Sequence, residues 1–392
     1  MFERKLVSVL IRRLSEPRKF IQIVTGARQT GKTTALTQAL SKLPGHKHYI
    51  SADDPGIYSR EWLKNEWQLA RYKAQTESVI LAIDEIQKVK DWQSTVKLLW
   101  DEDSRQNRDL KVVMTGSSSL LLQKGASESL MGRFEILYSS HWSYGECKEA
   151  FGFTLDDFLF FGGYPGAASL INDEERWARY IGLSIVEPTI SQDILMMEEV
   201  RKPALLRSLF LLGSSYSSME VSYTKLMGQL QDAGNTVTLA HYLELLNRAQ
   251  ILSGLQKFAG NKISVRKSSP RLIPYNTAFM TYSVGATRRR FLNNPSDRGH
   301  LIESAVGAYL LSRSQEEGFD VFWWRDRDKE VDFVLQKGKS VTAIEVKSGR
   351  IKNVGGSLEF MKLYPDAFSM VVGGPRFTLE EFLLGKVPLF IV

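Results

Sequence analysis

The sequence predicts an α/β protein built first on a parallel sheet, with separately patterned parts behind it. Three observations carry this. An apolar run, Phe20–Val24, leads into Gly26-Ala27-Arg28-Gln29-Thr30-Gly31-Lys32-Thr33, which fits G-x-x-x-x-G-K-[ST] at every fixed position, and a helical stretch starts at Thr33. Apolar runs then alternate with amphipathic stretches as far as Tyr138, the pattern of a doubly wound sheet with its ligand at the strand carboxyl ends. Beyond residue 200 the alternation stops, and three helices with a strand are followed by a helix with three strands.

Composition sets the outer bounds. At 392 residues the chain is long enough for two or three domains. A net charge of +7 and a pI near 9.2 suit an acidic partner such as nucleic acid. A single cysteine, Cys147, excludes an intrachain disulfide and a cysteine-based zinc site, and fits a reducing cytoplasm. The opening stretch, MFERKLVSVLIRRLSEP, is broken by charge and does not read as a secretory signal. With no long uncharged apolar run, no membrane span is expected.

The elements follow in order. Leu6, Val9, Leu10 and Leu14 recur at helical spacing and predict a helix ending near Pro17. In the glycine loop, backbone N–H groups from Gly26 to Thr34 are placed to wrap phosphates at a helix N-terminus. Lys32 is expected at the β- and γ-phosphates of ATP and Thr33 on Mg²⁺. His48–Ser51 reads as a strand and Ser59–Tyr72 as a helix. The run VILAI then ends in Asp84-Glu85, the acidic strand end that such a loop requires. Asp84 would hold Mg²⁺ through water, and Glu85 would polarise the attacking water. Trp92–Trp100 reads as a helix. Leu110–Thr115 reads as a strand running into Gly116-Ser117-Ser118-Ser119, where Ser117 is the candidate γ-phosphate sensor and Ser118 stands behind it. A helix is expected over 120–132, then Arg133 and a strand, Phe134–Tyr138. Arg133, just before the last strand, is placed as an arginine finger toward a neighbour's ATP, which would make the protein a homo-oligomer.

These motifs carry a family resemblance. GARQTGKTT, ILAIDEIQ, VMTGSSS, LMGRFEILYSSHWSYGE and FGGYPGA together resemble the prokaryotic AAA+-type ATPases with a C-terminal DUF4143 region. The resemblance implies ATP and Mg²⁺ as cofactors and puts the family's arginine at Gly132-Arg133.

The expected organisation is an ATPase domain over 1–152, a helical linker over 153–203, a third part over 204–290 and a last domain over 291–392. In the linker, FFGGYPGAASL reads as a Gly/Pro hinge, and Glu174–Ile190 as a helix broken near Pro188. Ala204–Ser214, a serine-capped helix from Val221, Thr238–Leu246 and the strand Ile251–Lys257 give a winged-helix-like order. The helix in the recognition position, Thr238–Asn247, has few basic residues, so a protein-packing module is an equal alternative. A basic stretch from Lys257 to Arg290 supplies Lys262, Arg266, Lys267, Arg271, Arg288 and Arg289, with Phe258, Tyr275, Phe279, Tyr282 and Phe291 set among and just beyond them. It is the candidate DNA surface.

At the C-terminus a helix, His300–Ser314, precedes strands at 321–325, 330–335 and 341–347, an order that resembles the PD-(D/E)xK nuclease fold. That resemblance implies a metal site of Glu303, Asp332 and Glu345, with Lys347 beside the reacting water. Glu345 and Lys347 share one face of a strand, as residues i and i+2 do. Further short strands are expected at 370–374 and 388–392. Three readings stay open: a DNA-directed ATPase with nuclease capacity, a nucleotide switch for protein partners with a silent nuclease-like domain, and a winged-helix regulator whose ATPase sets its oligomeric state.

Overall fold

The computed structural model describes residues 2–53, 56, 58–116, 130–195, 200–232, 234–260, 269–349 and 355–390. The chain divides into two compact units, residues 1–140 and 141–392.

The first unit is a five-stranded parallel sheet, β1 (Ile21–Thr25), β2 (His46–Ser51), β3 (Val79–Asp84), β4 (Leu110–Gly116) and β5 (Phe134–Tyr138), in the order β2-β3-β4-β1-β5. Every residue of β1 and β3 is buried, as continuous apolar strands in a two-sided parallel sheet must be. One face packs Ile21, Ile23, Leu81 and Ile83 against Trp67, Trp92 and Trp100. The other packs Val24, Ile80 and Val113 against Leu36 and Leu40, and against Val7, Leu10 and Leu14 of the first helix, Lys5–Ser15. Val7, not Val9, completes that apolar stripe. The order turns over at β1, whose neighbours are β4 and β5, so the crevice beyond its carboxyl end is the expected ligand position.

The second unit opens with helices. Glu174–Tyr180 continues into two wide turns, Ile181–Val186 and Thr189–Ile194, on either side of Pro188. Proline has no N–H to give the preceding turn, and the Thr189 hydroxyl donates to the carbonyl of Ile185, four residues before it (2.7 Å). The Gly/Pro stretch expected as a hinge is packed. It lies inside the second unit, and Phe160, Phe161 and Tyr164 are buried. Gly162 has φ +69°, and a Cβ there would run into Asn276 Oδ1. The glycine signal marks a close approach of two chain segments, which sequence alone does not separate from flexibility.

Helices Pro203–Ser215, Tyr223–Gln229 and Thr236–Arg248 are followed by an antiparallel pair, β6 (Leu252–Leu255) and β7 (Arg271–Pro274). Ser222 and Asn235 cap the second and third of these helices. The long helix Pro295–Glu317 leads to a four-stranded sheet of β8 (Asp320–Asp326), β9 (Lys329–Lys337), β10 (Ser340–Val346) and β11 (Phe368–Val372), in the order β11-β10-β9-β8. The pairings β8–β9 and β9–β10 are antiparallel and β10–β11 is parallel. A short helix, Leu379–Leu383, stands near the end, and residues 388–390 form no strand.

Four of the five aromatics of the basic stretch have a different job from the one expected. Phe258, Tyr275, Phe279 and Phe291 are buried, so they serve the core and offer no stacking platform to a nucleic acid. Among the described residues, no helix is long and apolar enough to cross a membrane.

Candidate nucleotide site and carboxylate cluster

The glycine loop joins β1 to the helix Lys32–Lys42. Chain packing dictates its first residue, because a Cβ on Gly26 would meet the Ser139 carbonyl just past β5. The loop is braced from outside its own motif. Arg4 Nη1 donates to the Thr30 carbonyl (2.9 Å) and to Ser139 Oγ (3.3 Å), and the Thr30 and Ser139 hydroxyls are 3.0 Å apart. Lys32 is buried, its ammonium donating to the carbonyls of Gly26 (3.1 Å) and Ala27 (2.6 Å). Arg28, Gln29, Gly31 and Thr34 lie in the same loop and first helical turn, and Gln29 takes a left-handed backbone conformation.

Asp84, at the end of β3, is the hub. Its Oδ2 accepts from Thr33 Oγ1 (2.8 Å) and from the Tyr49 hydroxyl (2.9 Å), and its Oδ1 from the Thr115 hydroxyl. Burial, and then the Asp84 charge, push the Tyr49 phenol upward. Glu85 follows in a left-handed conformation. Its N–H donates to Thr115 Oγ1 (3.3 Å), and its carboxylate accepts from Gln87 (2.7 Å). Sequence reasoning paired Thr33 with Asp84 but missed Tyr49, Thr115, Arg4 and Ser139. Register supplies the missing signal. β4 lies between β1 and β3, with Val24 opposite Thr115, and Ser51 pairs with Asp84 two residues beyond Tyr49. The expected sensor, Ser117, lies outside the described residues, as does Ser118.

Arg133 sits immediately before β5 in a two-pronged pair with Asp101 of its own chain, Nε to Oδ1 at 2.6 Å and Nη2 to Oδ2 at 3.0 Å. That pairing holds the Asp101 carboxyl below its usual range.

The residues present suit Mg²⁺ with a nucleotide. Thr33 and Asp84 supply the hydroxyl and carboxylate oxygens that Mg²⁺ takes alongside phosphates, and the Lys32 ammonium is already folded into the loop. This geometry defines the first unit as a P-loop nucleotide-binding domain. More narrowly, residues 18–148 match the family described as "AAA domain", and residues 298–376 match "Domain of unknown function (DUF4143)". The chain therefore carries an AAA domain and a DUF4143 domain, and the segment between them, 152–290, matches "Domain of unknown function (DUF8612)". Among solved structures, a single-site variant of RuvB from Thermotoga maritima is similar at 17% identity, covering 64% of this chain and 87% of that one, with a TM-score of 0.34. AMPPCP-bound DnaA from Aquifex aeolicus is similar at 16% identity, covering 61% and 86%, with a TM-score of 0.33. No curated protein matches the chain.

In the second unit, Glu303 on the long helix, Asp332 on β9, and Glu345 and Lys347 at the end of β10 fall in one neighbourhood. The oxygens of Asp332 and Glu345 are engaged. Asp332 Oδ2 accepts from the Val346 N–H (2.7 Å), and its Oδ1 lies 3.5 Å from Arg271 Nη1. Glu345 Oε1 accepts from the Ser357 N–H (2.7 Å), and its Oε2 lies 3.1 Å from Lys347 Nζ. Glu303 is pushed up to about 8, by burial first and then by the Asp332 charge, against the opposing pull of Arg271 and Lys347. Among the described residues, no group of three or more His, Cys, Asp or Glu is arranged to hold a metal ion. The expected metal set of Glu303, Asp332 and Glu345 is therefore not assembled into such a group among the described residues.

The described basic residues of the stretch have different surroundings. Arg271 is buried between Glu330 and Asp332, and Arg288 pairs with Asp157 (2.6 Å). Arg289 and Arg290 are exposed, and Lys262, Arg266 and Lys267 lie outside the described residues.

Proposed function

We propose that the protein hydrolyses ATP with Mg²⁺ and works as a nucleotide-driven switch for partner molecules. The observation that carries the ATPase reading is the convergence of Thr33, Tyr49 and Thr115 on Asp84, beside a lysine folded into the phosphate loop. Thr33 and Asp84 would hold Mg²⁺, which when bound neutralises phosphate charge. Lys32 would exchange its two carbonyl acceptors for phosphate oxygens. Glu85, oriented by Gln87, would position the attacking water and accept its proton. Arg133 would leave Asp101 to act on a neighbouring copy's nucleotide.

The test is ATP turnover by wild type, Lys32→Ala and Glu85→Gln. Both variants are expected to lose turnover, with Glu85→Gln still binding nucleotide. Turnover retained in Lys32→Ala would sink the assignment.

For the second unit, a winged-helix-like packing module followed by a nuclease-like sheet remains our reading. The burial of Phe258, Tyr275, Phe279, Phe291 and Arg271 takes these residues out of any DNA surface. The exposed Arg289 and Arg290 support the DNA reading. Anisotropy with labelled single- and double-stranded DNA separates the two. Steeply salt-dependent binding, weakened in an Arg289→Ala/Arg290→Ala double variant, would restore DNA as the partner.

A further inference from the structure

The C-terminal carboxylate cluster is crowded by a side chain from outside its own sheet. Arg271 starts β7, on the two-stranded ribbon with β6, and is only 4% exposed. Its Nη2 pairs with Glu330 Oε1. Its Nη1 donates to the Asp332 carbonyl (3.1 Å) and lies 3.5 Å from Asp332 Oδ1. Arg325 binds the other Glu330 oxygen and reaches Glu220 at 2.5 Å. Lys347 neutralises Glu345 from within the strand end, and the helix Gly355–Leu363 presents the Ser357 amide to the other Glu345 oxygen.

We propose that Arg271 is the resident cation of this cluster, so that the sheet carries an ion-paired joint to the β6–β7 ribbon in place of a divalent metal site. A hard divalent cation needs several free carboxylate or carbonyl oxygens. Here both oxygens of Asp332 and both of Glu345 already face a donor or a cation. A guanidinium beside Asp332 also repels a second positive ion at short range, where the low interior dielectric makes that repulsion strong. The fork geometry lets one arginine engage Glu330 and the Asp332 backbone together, which a lysine ammonium at the same place would not reproduce. This inference is independent of the ATPase reading, since no residue of the first unit takes part.

The test is Mn²⁺ binding to full-length, nucleotide-free protein, followed by electron paramagnetic resonance of free Mn²⁺. Wild type, Asp332→Asn and Glu345→Gln are expected to bind the same number of ions, because none sits in the cluster. Arg271→Met is expected to bind one more per chain. An ion bound by wild type and lost in both carboxylate variants would overturn the proposal. So would an Arg271→Met protein with native circular dichroism that gains no site. If Arg271→Met fails to fold, the comparison of wild type with the two carboxylate variants decides alone. Mn²⁺-dependent DNA cleavage by wild type that Asp332→Asn abolishes would likewise overturn it.

Discussion

At the scale of single residues, Asp84 shows how much of a site a motif leaves out. The loop spacing identifies Lys32, Thr33 and Asp84 because the chemistry is local to one loop and one strand end. Tyr49 and Thr115 reach the same carboxylate only through sheet register, which no spacing in the sequence records. Thr115→Val leaves Asp84 Oδ1 without its donor and the Glu85 N–H without its acceptor. Turnover is expected to fall about 10- to 100-fold, as for the loss of an outer partner of a metal ligand. A Mg²⁺ titration of ATP hydrolysis checks this; an unchanged Mg²⁺ dependence and rate would show that Tyr49 and Thr33 suffice. Glu303 gives a second prediction. Its carboxyl is raised from 4.5 to about 8, so the folded chain keeps a proton that the unfolded chain releases. Its stabilising contribution is full below about pH 4.5, declines as pH rises through about 8, and is level beyond. The decline is at most about 1.4 kcal/mol per pH unit for one proton. Urea midpoints of wild type and Glu303→Gln across this range test it: wild type should lose ground to the variant with rising pH, and parallel curves would refute the assignment.

At the scale of elements, legibility followed the kind of signal. β1, β3 and β4 were readable because a strand buried on both faces must be an apolar run, and theirs end in motif residues. The ends of helices slipped: Trp92–Trp100 extends to Arg105, and the last helix, five residues long, was missed. The larger error was physical. Gly-Gly-x-Pro signals turn chemistry, and the same letters serve a hinge or a tight contact. The contact is with Asn276, whose side chain accepts from the Gly163 and Ala278 amides and lies over a hundred positions away in the chain. One residue of the basic stretch, Arg271, misled for the same reason. Arg271 looked like a phosphate ligand because Glu330 and Asp332, which hold it, come some sixty positions later. Gly162→Ala tests the packing view. A methyl group would strike Asn276 Oδ1 at a positive φ, and a loss of about 2–4 kcal/mol is expected. A urea midpoint shifted by less than that of a surface control substitution would return the stretch to a flexible role.

At the scale of the whole molecule, the proposed ATPase site draws on Arg133 either from its own chain or from a neighbour's. Arg133 holds Asp101 through two hydrogen bonds, but both side chains are about one-third exposed. A pair of that exposure is worth on the order of 1 kcal/mol or less, so releasing Arg133 costs little compared with what a finger contributes. If Arg133 serves a neighbour, Arg133→Ala should lower turnover by about 10³-fold or more while leaving nucleotide affinity unchanged. Asp101→Asn, which loosens the internal pair, should keep turnover at or above wild type. Turnover per chain should rise with protein concentration in wild type and in Asp101→Asn, but stay flat in Arg133→Ala. Mixing Arg133→Ala with Lys32→Ala chains discriminates further. Each variant lacks one half of the composite site, so shared sites would regain turnover in the mixture. Turnover that is independent of concentration in wild type, with Arg133→Ala fully active, would mean that Arg133 only ties the start of β5 to the helix Trp92–Arg105. The substitution would then appear as a small loss of stability and nothing more.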